Sequence, residues 1–301
     1  MKALVDADII VYRAGFAAEK NQWFLSVGGE VPEMYAYKKD ALTRLDELLP
    51  GKYSREEGVD YQLWSERYVE PVEHALHNAK TLVEGIIKAL KISDMDVTLY
   101  LSGGKNFRYD IAKTRPYKGN RDDSQRPTHE EAIRTYLKSK WNTVVTDGIE
   151  ADDALGIAMS KYGADGVICS VDKDLDMIPG KHYNFVEDIE YEVDEELAWR
   201  TFCKQLLTGD STDNIPGLKG IGGAKAEKML EGFTRDEWFP EVVANYARRS
   251  GRTDWFEYLR EQAKLIWIMR HPTDPEVDMM LEGMDAYGGE VDETVQTDLF
   301  G

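Results

Sequence analysis

The sequence predicts an α/β fold, a parallel sheet with helices followed by a helical region. Short apolar runs of strand type recur at 3–5, 97–101, 143–145 and 166–170, stretches of helical period separate them, and beyond about residue 194 the strand signals stop. Ala3-Leu4-Val5 is the first strand and runs directly into Asp6 and Asp8. In the 16–80 segment, Trp23 to Val31 reads as a β-hairpin around Gly28-Gly29. Glu70 to Lys91 reads as a helix, because Leu76, Leu82, Val83, Ile86, Ile87 and Leu90 recur near a 3.6 period. Val97 to Leu101 is the next strand, then come a basic segment, a helix from about Thr128 to Lys140 and the strand Thr143-Val144-Val145. Asp152 to Tyr162 is helical and Gly166 to Ser170 is a strand of buried type.

The chain has 301 residues, 37 Lys and Arg against 56 Asp and Glu, and a formal charge of −19. A 42% hydrophobic fraction supports a core, and the length predicts one large domain with a smaller appendage. No stretch approaches the ~18 uncharged apolar residues of a membrane span, and Asp6 and Asp8 interrupt any signal-peptide core. Cys169 and Cys203 lack metal spacing and do not suggest a disulfide framework. These features predict a soluble cytoplasmic protein without a membrane partner. The acidic balance argues against nucleic acid, yet it is uneven. Residues 105–126 carry seven basic side chains against three acidic ones, whereas 272–301 hold nine acids and no Lys or Arg. Local charge therefore decides.

Four carboxylate clusters stand out: Asp6/Asp8, Glu150-Ala151-Asp152-Asp153, Asp172-Lys173-Asp174 and Asp210-Ser211-Thr212-Asp213. Singly each has a plain structural explanation: Asp152 and Asp153 as first-turn helix acids, Asp210 and Asp213 as turn residues before Pro216. Together they differ, because a parallel sheet gathers groups at the carboxyl ends of its strands. Two carboxylates ~4 Å apart repel by about 1 kcal/mol in water and about 4 kcal/mol at an effective dielectric of 20. Such a set must protonate or bind cations. Oxygen donors without His or Cys suit Mg²⁺ or Mn²⁺, and two such ions can promote phosphodiester hydrolysis.

Val5-Asp6-Ala7, Glu150 to Asp153, Ser170-Val171-Asp172-Lys173-Asp174 and Gly209-Asp210-Ser211-Thr212-Asp213-Asn214-Ile215-Pro216-Gly217 occur in the order of the 5′ nuclease motifs. From residue 1 to about 232 the chain resembles that family, the 5′→3′ exonuclease and flap endonuclease group, in its small phage-type form. The resemblance implies a PIN-like nuclease domain over 1–193, with a 16–80 insertion and a helical arch at 105–140. It also implies a helical domain over 194–271 with a helix-hairpin-helix at 213–232, and 272–301 is then an acidic flexible tail. Asp6, Glu150, Asp152, Asp153, Asp172 and Asp174 would hold or support one metal ion, and Asp210 and Asp213 mainly a second. One position departs: Ser102 follows the second strand where the family usually has Asp. Asp8 is a candidate compensator, although on a strand it would face away from Asp6.

In the basic segment, Arg108, Tyr117, Lys118 and Arg121 read either as a solvated loop or as groups that neutralise a phosphate and stack on a base. The family's Tyr-Lys-x-x-Arg arch pattern favours the second, with Lys118 and Arg121 as catalytic cations. Gly217, Lys219, Gly220, Gly222 and Lys225 lie in a Gly-rich stretch that exposes N–H groups to phosphates without reading base sequence. By resemblance this stretch grips duplex DNA and holds a K⁺ ion. Gln296, Leu299 and Phe300 belong to Gln-Thr-Asp-Leu-Phe, which resembles a peptide that docks on bacterial sliding clamps. The expected activity is metal-dependent cleavage of DNA at or near 5′ ends, flaps or junctions. The alternatives are a catalytically weak DNA-structure-binding protein and a haloacid-dehalogenase-type phosphatase, whose nucleophile pair Asp6-Ala7-Asp8 imitates.

Overall fold

The computed structural model describes residues 1–50, 60–121 and 126–282. The first half of the chain gives β1 (Lys2–Asp6), α1 (Ala7–Ala17), β2 (Glu19–Val27), β3 (Glu33–Tyr35), α2 (Lys38–Leu48), β4 (Tyr61–Val69) and α3 (Val72–Leu90). Then come β5 (Val97–Leu101), α4 (Arg108–Ile111), α5 (Glu130–Lys140), β6 (Thr143–Val145), α6 (Ala151–Tyr162), β7 (Gly166–Cys169), β8 (Gly180–Asn184) and β9 (Ile189–Val193). The remainder is helical: α7 (Glu195–Thr208), α8 (Gly223–Leu230), α9 (Arg235–Arg249), α10 (Trp255–Ile266) and α11 (Glu276–Glu282). None of the described helices is long and apolar enough to cross a membrane.

The chain divides into two compact units, one of residues 1–9, 84–125 and 140–301 and one of 10–83 and 126–139. The first holds a six-stranded sheet of order β6-β5-β1-β7-β8-β9. Its strands run parallel except β9, which pairs antiparallel with β8. Ala3, Leu4 and Val5 are fully buried, as an inner strand requires. The same unit contains the helical region, and one apolar core serves both. Leu4 and Ile168 from the sheet share it with Phe202, Leu206 and Leu207 of α7, Tyr246 of α9 and Leu259 of α10. The boundary expected at 193/194 thus does not separate two cores.

The second unit contains the expected hairpin in altered form. Phe24 pairs with Met34 across β2 and β3, so the connection is a five-residue loop, 28–32, rather than a tight Gly-Gly turn. Gly28 and Gly29 both have positive φ, +64° and +77°, which suits glycine there. β4 adds a third strand beside β2, with Phe24 and Trp64 stacked at 5.4 Å. The sequence does not signal β4 or α2. Ser65-Glu66-Arg67 interrupts the alternation in β4, and α2 buries only Ala41 and Leu45.

In the segment expected as an arch, the described residues give two helices, α4 and α5. After the single turn of α4 the chain is irregular through Pro116, and residues 117–120 form a turn. Within α4, Arg108 is only 3% exposed. Its Nη1 and Nη2 donate to the two oxygens of Asp153 at 2.6 and 2.8 Å. Nε donates to the Leu265 carbonyl at 2.9 Å and Nη2 to that of Trp267 at 2.7 Å. Asp153 also accepts from the backbone N–H groups of Glu150 and Met269. Arg108 therefore has no free face for DNA, contrary to expectation, and Asp153, expected to hold or support a metal ion, has both oxygens committed to protein donors, one of them the N–H of Glu150.

Arg108→Met should cost about 3–5 kcal/mol of stability by leaving Asp153 buried without its partner. Urea unfolding of the variant beside wild type checks this, and a loss below about 1 kcal/mol would contradict a buried clamp.

Candidate active site

Three of the predicted clusters meet at one edge of the parallel sheet. Asp6 ends β1, Ser102 follows β5, Glu150 caps α6 shortly after β6, and Ser170 and Asp172 follow β7. Ser170 joins the first and third: its hydroxyl donates to Asp6 at 2.8 Å and accepts from the Asp172 N–H at 3.0 Å. Asp172 in turn accepts from the Asp174 N–H at 2.9 Å. The motif alone gives Ser170 no role, and these two contacts supply one.

Asp8 lies differently from its expectation. The chain enters α1 at Ala7, so Asp8 sits in a first helical turn and not on a strand. Asp6 accepts from the Ile9 N–H at 3.3 Å, and Asp8 accepts from the Ser102 N–H at 2.9 Å. The strand rule that would turn Asp8 away does not apply, and its carboxylate stands beside the position where Ser102 lacks one. The Ser102 hydroxyl accepts from the Ala151 N–H at 3.0 Å.

Burial and mutual repulsion act on these acids together. Burial, then the charge of Asp8, pushes the Asp6 carboxyl up to about 7. Burial raises Asp152 well above the ordinary carboxylate value, with Asp6, Glu150 and Asp172 adding to it. Asp174 is pushed up to about 7 by burial and then by Asp172 and Asp210. Asp210 is raised by burial and by Asp213. A cavity of about 30 Å³ lies between Glu150, Asp152, Asp174, Asp210 and Asp213. That is room for an ion or a water.

Basic groups of the 112–121 segment pair with two of the acids that line this cavity. Lys118 Nζ is paired with Glu150 Oε1 and lies 3.6 Å from Asp213 Oδ2, while Arg121 Nη2 is 2.5 Å from Asp213 Oδ1. Tyr117 is 3% exposed, and its hydroxyl lies 2.7 Å from Glu150 and 2.6 Å from Asp213. This is a second correction within the segment: a buried Tyr117 cannot stack on a base, and its role is to link two carboxylates. The segment is tied to the Asp210 loop through backbone. The Lys118 N–H donates to the Asp213 carbonyl at 2.9 Å, and Asn214 Nδ2 to the Pro116 carbonyl at 2.9 Å. Lys118 itself has φ +54°, a left-handed conformation costly for a non-glycine residue.

The Gly-rich loop begins at a close crossing of Gly209 and Gly217. A Cβ on Gly217 would stand 2.3 Å from the Gly209 nitrogen, so only glycine fits; Gly217 is buried and its N–H donates to Gln262, so, contrary to expectation, it has no N–H to offer DNA. Gly222 caps α8, and Lys219, Gly220 and Lys225 are exposed, with Lys225 Nζ donating to the Gly220 carbonyl at 2.9 Å. Gln296, Leu299 and Phe300 lie outside the described residues.

The donor set fits a hard divalent cation by its all-oxygen chemistry and by its excess of buried negative charge. Among the described residues, however, no three Asp, Glu, His or Cys side chains stand together closely enough to hold one ion. Glu150 and Asp213 are turned toward Lys118, Arg121 and Tyr117, and Asp153 toward Arg108.

No family model matches the chain. It is 32% identical over 150 residues to DNA polymerase I of Rhizobium leguminosarum, covering 43% of this chain and 14% of the polymerase. It is 28% identical over 182 residues to the 5′-3′ exonuclease of Buchnera aphidicola, covering 54% of this chain and 62% of that protein. The match thus spans less than two thirds of either relative's length. Among solved structures it is similar to a bacteriophage T5 flap endonuclease in a complex with DNA and metal ions, at 18% identity and a TM-score of 0.46, over 69% of this chain and 89% of that one. In sequence, then, the chain is similar to a 5′-3′ exonuclease and to part of a DNA polymerase.

Proposed function

We propose that this chain is a divalent-metal-dependent nuclease that hydrolyses DNA phosphodiesters at or near 5′ ends, flaps or junctions. The observation that carries the reading is the meeting of carboxylates from distant segments, with Lys118 and Arg121 laid against them. The similarity to the Buchnera 5′-3′ exonuclease supports it.

In this reading Asp6, Glu150, Asp152, Asp172 and Asp174 hold the first ion and Asp210 and Asp213 the second, with Asp8 supplying the carboxylate that Ser102 does not. Mg²⁺ or Mn²⁺, when bound, supplies the Lewis acidity that phosphodiester hydrolysis needs. Lys118 and Arg121 orient the phosphate and stabilise its developing charge. Ser170 fixes Asp6 relative to Asp172, and Tyr117 holds Glu150 beside Asp213. The exposed loop of Lys219, Gly220, Gly222 and Lys225 meets duplex phosphates, with K⁺ as its ion, so structure rather than base sequence selects the substrate. The C-terminal Gln296, Leu299 and Phe300 serve to tether the enzyme to a sliding clamp.

Ser102 favours a second reading, a protein of this fold that binds DNA structures and cuts poorly. Cleavage of a 5′-labelled flap duplex in Mg²⁺ separates the two. Wild type should cut, and Asp172→Ala should lose at least about 100-fold in rate. Tight binding without cutting in both Mg²⁺ and Mn²⁺ would establish the second reading and make Ser102→Asp the variant expected to gain activity.

The raised carboxyls give a second test. Protonation keeps Asp6 and Asp174 neutral in the fold, so the stability they contribute is full below an unfolded value of about 4. It is lost as the pH rises through about 7. Without divalent ions, thermal stability should therefore fall between pH 5 and pH 8, and the gain from Mg²⁺ should be larger at pH 8. Calorimetry with EDTA or Mg²⁺ measures this, and an equal Mg²⁺ increment at both pH values would contradict ion binding to these carboxylates.

A further inference from the structure

One face of α10 touches both loops that reach the carboxylates. Tyr258, Glu261, Gln262 and Leu265 follow one another at helical spacing on that face. The Tyr258 hydroxyl donates to the Gly217 carbonyl at 2.6 Å, and Gln262 Oε1 accepts from the Gly217 N–H at 3.2 Å. The Leu265 carbonyl accepts from Arg108. Glu261 holds the remaining segment. Its Oε1 accepts from the N–H groups of Lys113 at 2.8 Å and Thr114 at 2.7 Å, and its Oε2 accepts from the Thr114 hydroxyl at 2.7 Å.

Three hydrogen bonds from one carboxylate to two adjacent residues fix a backbone path. Charge-assisted bonds of this kind are about twice as strong as neutral ones. Pro116 lies two residues beyond and restricts its own φ, Tyr117 is buried, and Lys118 is held in a left-handed conformation that places Nζ on Glu150. Little slack separates Thr114 from Lys118, so a shift at Thr114 passes into the position of the ammonium.

We propose that Glu261 is a positioning residue for the nuclease reaction: by clasping the backbone at Lys113 and Thr114 it sets where Lys118 and Arg121 stand over the carboxylates. This rests on the nuclease reading above. It adds a residue from the helical region, about 140 positions away in sequence, to those that determine the rate. Glu261 itself touches none of the metal-binding candidates in the contacts described.

The test compares full-length wild type with Glu261→Ala, Glu261→Gln and Thr114→Val. Three readouts are taken: steady-state flap cleavage in Mg²⁺, DNA affinity in EDTA, and amide exchange over 113–121. Glu261→Ala should lower kcat about 10- to 100-fold, the scale of a misplacement near 1 Å. KM and DNA affinity should stay close to wild type. Glu261→Gln keeps an oxygen that accepts both N–H groups and should restore most of the loss. Thr114→Val, which removes one bond from the other side, should show a smaller loss in kcat. An unchanged kcat in Glu261→Ala would overturn the proposal, as would a change in KM alone or an equal loss in Glu261→Gln. Should Glu261→Ala not fold, Thr114→Val decides in the same way. Absence of cutting by wild type would count against the nuclease reading, and amide exchange then judges positioning separately. Faster exchange at Lys113, Thr114 and Lys118 in Glu261→Ala, reversed in Glu261→Gln, supports it; unchanged exchange overturns it.

Discussion

Carboxylates repel one another, and this chain brings many of them to one edge of one sheet. Asp6, Asp152 and Asp174 are each raised by burial and by neighbouring acids, so no member can be understood without the others. The fold meets the repulsion in several ways. Ser170 donates to Asp6, backbone N–H groups serve Asp6, Asp8 and Asp172, and Lys118 and Arg121 bring positive charge to Glu150 and Asp213. What these leave uncompensated is the negative potential that a divalent cation would neutralise.

The basic side chains of one short segment have two different fates, and the difference lies in what stands opposite. Arg108 meets the buried Asp153 and two carbonyls near the end of α10, and its guanidinium is fully occupied within the protein. Lys118 and Arg121 meet acids that border a cavity, and Arg121 is still substantially exposed. A buried pair gives geometry, whereas partly solvated cations over a cleft can exchange partners. Both are needed: the first fixes the start of α6, from which Glu150 and Asp152 project, and the second faces the reacting phosphate in the proposed function.

Much of this was legible in the sequence, because strands buried on both faces appear as short apolar runs. Ala3 to Val5, Val97 to Leu101 and, but for its last residue, Gly166 to Ser170 are all found in the sheet, and with a parallel order the acids that follow the first and third had to converge. The expected Glu70 to Lys91 helix is α3, shortened to Val72–Leu90. Long-range partners were not legible. Nothing in a basic segment marks Arg108 as buried, since its partners lie 45 or more residues away. The strand rule misplaced Asp8 because the switch from β1 to α1 falls between Asp6 and Ala7, without Gly or Pro to mark it. Sequence alone leaves Tyr117 free to stack, because its burial depends on Tyr109, Glu150 and Asp213, which no local pattern reveals.

The Arg108 clamp also has a consequence for the order of biosynthesis. Every carboxylate of the site has been added to the chain by Asp213, but the carbonyls that complete the clamp belong to Leu265 and Trp267. A ribosome adds about 5–20 residues per second, so the acids precede their final support by several seconds. During that interval Arg108 and Asp153 lack the partners supplied by Leu265, Trp267 and Met269. A nascent chain that ends before α10 therefore carries the acidic motifs without the carbonyls that complete the Arg108 clamp.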